Sequence, residues 1–138
     1  AIRLHGSRPA KDLFQLWRRI VFSILISNTD DHLRNHGFLY DGTGWRLSPA
    51  FDLNPMPIDV KQRFLSLAID DADNTASLEL ALRVAPQFGL KHAQAKKIVQ
   101  EVAEAVRQWR QLGLLYGISP REIERMASAF EHEESPSA

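Results

Sequence analysis

Between Lys11 and Ser27 one stripe of apolar residues, Leu13, Leu16, Trp17, Ile20, Val21, Ile24 and Leu25, recurs at alternating steps of three and one. That spacing predicts a helix with one buried stripe and with Gln15, Arg18 and Arg19 on a solvated face. The run stops at a polar cluster, residues 28–36, which has no period and reads as loop. Gly37–Tyr40 and Trp45–Leu47 flank the Asp41–Gly44 turn as a β-hairpin, and Pro49 stops the second strand. Residues 53–60 hold Pro55 and Pro57 and read as irregular chain. Arg63–Ile69 alternates in part, as a strand would, and Asp70–Asn74 reads as a loop leading into a helix.

From Ser77 the pattern is helical again, with Pro86 expected to end or kink the first helix and Phe88–Leu90 forming a turn. Lys91–Leu112 reads as one long amphipathic helix with Ala95, Ile98, Val99, Val102, Val106 and Trp109 inward, broken by Gly113 and Gly117. Ser119 is an N-cap, Pro120 the first helical residue and Glu122 the capping-box acid of a last helix running to about Phe130. Trp45 and Trp109 are assigned to the core. The predicted fold class is mainly α with a small β-hairpin, in a single domain over 1–138. Its parts are an opening loop (1–10), a helix (11–27), a site-bearing segment (28–60), a helical subdomain (75–131) and a frayed tail (132–138).

Composition narrows the classes. At 138 residues with 44% hydrophobic content the chain is long and apolar enough for one well-filled core. Net charge is zero, so nothing global points to nucleic acid or membrane. The charge is uneven: residues 1–27 carry five Lys/Arg and one Asp (+4), and residues 28–74 carry four Lys/Arg and eight Asp (−4). With no Cys there is no disulfide or thiolate metal site, and a cytoplasmic location is expected. No apolar run approaches the ~20 residues of a membrane span, and no signal peptide is visible. The chain begins at Ala1, and is expected to be a piece of a longer product.

The middle segment holds the candidate chemistry. Asn28-Thr29-Asp30-Asp31-His32-Leu33-Arg34-Asn35-His36 packs two carboxylates, two carboxamides and two imidazoles into nine residues, and Asp52 follows after one hairpin. Metal-dependent phosphoryl transfer needs this order. One carboxylate orients or deprotonates the accepting hydroxyl, a carboxamide five residues on holds a metal ion, and a second carboxylate bridges metal and phosphates. Mg²⁺ prefers oxygen ligands and takes only one or two from the protein, so Asn35 and Asp52 would suffice.

Thr-Asp-Asp-His-Leu-Arg-Asn followed by Leu-Ser-Pro-Ala-Phe-Asp-Leu resembles the catalytic segment of the HipA-type bacterial serine/threonine kinases, the toxin halves of toxin–antitoxin pairs. That family's pattern is Asp-x-His-x-x-Asn, a hairpin, then Pro-x-x-Asp. The resemblance is strongest over residues 20–60 and continues loosely into the helical tail. It implies the helical C-terminal lobe of a protein-kinase-like fold, with Asp30 as catalytic base, His32 in support, and Asn35 and Asp52 as Mg²⁺ ligands on ATP. Asp31 falls where the pattern varies and is expected to be solvated. His32 is expected to bond loop carbonyls and so hold Asp30. The resemblance further implies a Ser/Thr-bearing protein of the translation machinery as substrate, growth arrest as outcome and a DNA-binding antitoxin as partner, with no direct contact to nucleic acid or membrane.

Only 29 residues precede Asp30, and neither a phosphate loop nor a strand-borne Lys is among them. Lys11 is the one Lys there, at a helix start. The expectation is therefore that this chain alone is inactive for want of a nucleotide-binding N-terminal lobe. Two alternatives stand beside it. One is a non-catalytic subunit that binds a protein, which predicts an apolar surface on the first helix or hairpin. The other is a metal-dependent phosphohydrolase using the Asp/His cluster, which predicts transition-metal binding without nucleotide; apart from it, a zinc site on His32, His36 and the carboxylates is the rival to the Mg²⁺ set. His5, His92 and His132 are assigned to the surface, and Lys96–Lys97 to a solvated face.

Overall fold

The computed structural model describes residues 1–57, 64–69 and 75–135. Its elements are α1 (Ile2–His5), α2 (Pro9–Leu25), β1 (Phe38–Tyr40), β2 (Trp45–Leu47), α3 (Leu78–Val84), α4 (His92–Arg107), α5 (Trp109–Leu115) and α6 (Pro120–Phe130). Short 3₁₀ turns cover Leu33–Asn35 and Ala85–Phe88. The two strands pair antiparallel, Phe38 with Leu47, Leu39 with Arg46 and Tyr40 with Trp45. The fold is mainly α with one small hairpin, as the periodicity predicts.

Helix α2 is the axis of the core. Its stripe residues Trp17, Val21, Ile24 and Leu25 are fully buried, against Ala81 and Ala85 on one side and Ala95, Ile98, Val102 and Ala103 of α4 on the other. The alanines let the helices approach, and Trp17 fills the space between them. Its indole Nε1 donates to the Ala81 carbonyl at 3.0 Å, which satisfies the one polar group this burial would strand. By area alone, burying such a side chain contributes on the order of 2–3 kcal/mol.

The helix ends are set by local chemistry. Pro9 opens α2 at a position where its missing N–H costs nothing. Ser77 caps α3, its hydroxyl accepting from Leu80 N–H. At α6 the capping box is reciprocal: Ser119 Oγ accepts from Glu122 N–H at 3.3 Å, and Glu122 Oε2 accepts from Ser119 N–H at 3.0 Å. Ser119's hydroxyl also holds Glu122's carboxyl below its ordinary value. Gly117, at φ 82°, supplies the left-handed residue that stops α5. Among the described residues no helix is long and apolar enough to cross a membrane.

Several expectations are corrected. Residues 2–5 are a short helix rather than loop, and the chain after it lies against the hairpin, with Ser7 N–H donating to the Trp45 carbonyl at 3.0 Å. Gly44 permits this approach: a Cβ there would meet Ser7 N at 2.9 Å. The long helix from Lys91 divides at Gln108 into α4 and α5, and Gly113 lies inside α5. Trp45 is not core; it is 47% exposed, because among the described residues no second layer covers that face of the hairpin. Trp109 is half-buried, stacked on Phe130 at 4.4 Å. Phe64 makes an isolated bridge with Thr75, and residues 65–69 are bends rather than a strand. The tail folds back where it is described: His132 Nε2 lies 3.1 Å from the Leu25 carbonyl, so this histidine is not a surface residue, and Glu134 accepts from Leu78 N–H at 3.0 Å. His5 and His92 are exposed as assigned. The expectations for Asp70–Asn74, Arg63 and residues 58–60 and 136–138 lie outside the described residues.

Candidate active site

The site begins where α2 stops. Ser27 takes a left-handed conformation, φ 52°, a position usually given to glycine. Its N–H bonds the Ile24 carbonyl at 3.3 Å, and Asn28 N–H reaches back to Ser23 at 2.8 Å. This is a Schellman stop, and it turns the chain sharply off the helix axis. A serine there stores roughly 1–2 kcal/mol of backbone strain, which neighbouring bonds must offset.

Those bonds tie the loop to the segment beyond the hairpin. Ser27's carbonyl accepts from Met56 N–H at 3.2 Å, and Asn28 Oδ1 accepts from Asn54 N–H at 3.3 Å. Thr29's carbonyl accepts from Ser66 N–H at 3.1 Å and Ser66 Oγ at 2.8 Å. Residues 27–29 are fully buried and act as a spine to which both later segments are bonded. The sequence reading gave Asn28 no role; a carboxamide directly after an apolar helix was its only signal.

Asp30 follows the spine and is exposed. Asn35, only 6% exposed, folds back over the loop so that its Nδ2 donates to the Asp30 carbonyl at 3.3 Å. With the nitrogen engaged there, the amide oxygen is the atom left to face a ligand. Asp52 stands across the hairpin, exposed and left-handed at φ 56°. Aspartate tolerates that conformation better than most residues. Its Oδ1 accepts from Asn54 Nδ2 at 2.7 Å, which links it through Asn54 to Asn28. Strained backbone thus occurs at both ends of the tied segment, a common feature of functional sites.

Asp31 and His36 correct the sequence reading. Asp31 is not solvated; it is 7% exposed, with its Oδ1 3.0 Å from His36 Nε2. That is ion-pair distance, though neither atom makes an aligned hydrogen bond among the described residues. His32 Nδ1 is buried without a hydrogen-bond partner there, so at that nitrogen no loop carbonyl holds the ring as expected. No group of three or more His, Cys, Asp or Glu is placed to hold a metal among the described residues, so the zinc set on His32, His36 and the carboxylates is not assembled.

The hairpin is anchored to α2 by a buried carboxylate that sequence reasoning did not single out. Asp12, 2% exposed, accepts from Arg46 Nε at 3.0 Å and Nη2 at 2.9 Å, and from Leu47 N–H at 3.1 Å. Burial alone would push its carboxyl up, but the bonds from Arg46 and Leu47 outweigh it and leave the group below its ordinary 3.8. The pair spans 34 residues, and an acid in a first helical turn reads locally as a dipole partner. Arg19, assigned to a solvated face, is half-buried and donates to the Ser48 carbonyl.

Comparison with known proteins fixes the class. The model of the HipA-like C-terminal domain matches residues 1–110, and the chain belongs to that family. Its fold is therefore the helical lobe of a protein-kinase-like architecture. A protein of Sinorhizobium fredii (strain NBRC 101917 / NGR234) named "Putative kinase Y4mE" is 35% identical over 52 residues, 38% of this chain and 12% of that relative. The matched stretch is thus a small part of the longer relative.

Proposed function

We propose that this chain is the catalytic-loop lobe of a HipA-like Ser/Thr protein kinase that transfers the γ-phosphoryl of Mg-ATP to a protein hydroxyl. The observation that carries the reading is the bonded circuit Asp52–Asn54–Asn28, together with Asn35 closed on Asp30. It ties the three predicted groups to one buried spine.

The donor set fits Mg²⁺. An amide oxygen and a carboxylate are hard ligands, and two from the protein are enough when phosphates and water supply the rest. Asn35 and Asp52 would hold the ion; bound, it would neutralise charge on the transferring phosphates. Asp30 orients the acceptor hydroxyl and takes its proton as that oxygen receives the phosphoryl group. Asn28 and Asn54 keep Asp52 in place, and the Asp12–Arg46 pair keeps the hairpin, and so the span from Asn35 to Asp52, in register. The nucleotide's other side would be met by an N-terminal lobe of the complete protein. Toxin-type growth arrest and an antitoxin partner belong to the same proposal.

A second reading, a protein-binding module without chemistry, is favoured by one feature. Phe38, Tyr40 and Trp45 are exposed on one face of the hairpin, giving it an apolar surface. Calorimetry with Mg-ATP separates the two. The kinase reading expects Mg²⁺-dependent nucleotide binding by the full-length protein, weakened at least 10-fold by Asp52→Asn and by Asn35→Ala. Binding that is absent, or indifferent to both substitutions, would leave the binding-module reading standing.

A further inference from the structure

Arg19 lies on the helix that leads into one candidate metal-ligand segment, and it bonds the backbone of the other. It projects from the middle of α2, and its Nη2 donates to the Ser48 carbonyl, four residues before Asp52. Its Nη1 is buried without a hydrogen-bond partner among the described residues. Burial pushes the guanidinium below its ordinary value, and the negative charges of Asp31 and Asp12 oppose that shift. Asp31 directly follows Asp30 and contacts His36, which directly follows Asn35. One half-buried cation on α2 therefore bonds the backbone of the segment that leads to Asp52. A charge left this far from water, with one nitrogen unpaired, is costly to keep for stability alone.

We propose that Arg19 is a positioning residue that holds the Ser48–Asp52 segment to α2, the helix that leads into the Asp30–Asn35 loop, and so keeps Asp52 in register with that loop. It touches neither substrate nor metal. A planar donor fork reaching Ser48 holds that segment to the helix that ends at the loop, and Lys offers the charge without the fork. The inference rests on the kinase reading for its catalytic consequence, but not for its structural one.

The test uses the full-length protein with Arg19→Met and Arg19→Lys, beside Ile24→Val as a control for stability loss elsewhere on α2. Amide hydrogen exchange is the readout independent of activity. In Arg19→Met, protection falls at Asn35, Ser48, Asn54 and Met56 while α4 amides keep theirs; Arg19→Lys recovers part of it, and Ile24→Val spares the four. In phosphoryl transfer, Arg19→Met lowers kcat by roughly 100-fold, the scale of a small misplacement. It also raises the Mg²⁺ needed for half-maximal rate, with little change in KM for the protein substrate. If exchange loosens evenly over the whole chain, or Arg19→Met keeps wild-type kcat and Mg²⁺ dependence, the positioning role is wrong. If the wild type shows no transfer, the kinase reading fails and exchange at the four amides alone decides this one.

Discussion

The front and back of this lobe are held by different physics. At the back, α2, α3 and α4 meet through a dry stripe of Trp17, Val21, Ile24, Ala95, Ile98 and Val102. At the front, residues 27–56 are held by buried polar groups: Asn28 to Asn54, Ser27 to Met56, Asp12 to Arg46, Arg19 to Ser48. Apolar packing is non-directional and tolerates small shifts. Hydrogen bonds to fixed partners are directional, and a buried group that loses its partner carries the full desolvation cost. The lesson is a division of labour: packing supplies most of the stability, and the polar front spends little on stability and much on geometry.

The comparison can be broken from the back first. Trp17→Ala removes the largest fully buried side chain and is expected to cost about 3–5 kcal/mol in denaturant unfolding. A loss near 1 kcal/mol would mean that α2 is not the axis of the core.

The next test concerns pH. Asp12's carboxyl lies below its ordinary 3.8 in the folded protein. Its contribution is then fully present above 3.8 and is lost as the pH falls through the folded value. The wild type should lose stability across that acid window more steeply than Asp12→Asn, whose residue 12 cannot titrate. Identical acid-unfolding slopes would show that the pair with Arg46 is not formed in solution. The smallest effect is at the far end of the back. Ser119→Ala is expected to cost about 1 kcal/mol by removing a cap, with phosphoryl transfer unchanged, since α6 packs on α5.

The back was largely legible in the sequence because its rules are local. The three-one spacing from Leu13 to Leu25 and the Ser119–Glu122 capping box each appear in the structure where the pattern puts them, as does the Gly-rich turn at 41–44 of the front. The break at Gln108 was not legible, since neither Gly nor Pro marks it. The candidate site was legible as a motif, Asp30, Asn35 and Asp52 in order, but not as a structure. Ser27 gives no sign that it adopts a glycine conformation, and Asp31 reads as a surface acid until it is seen buried beside His36. Arg46 and Asp12 are too far apart in sequence for any local rule to pair them. The exposure of Trp45 depends on what else covers the hairpin, which no pattern within these residues encodes.

The central claim is that the polar front performs phosphoryl transfer. The direct measurement is transfer of the γ-phosphoryl of Mg-ATP to protein by the full-length protein, beside an Asp30→Asn copy. Asp30 is exposed, so the substitution should leave unfolding within about 0.5 kcal/mol of wild type while lowering transfer by roughly 10²–10⁴-fold. Transfer that survives in Asp30→Asn, or that is absent from the full-length wild type, would contradict the account.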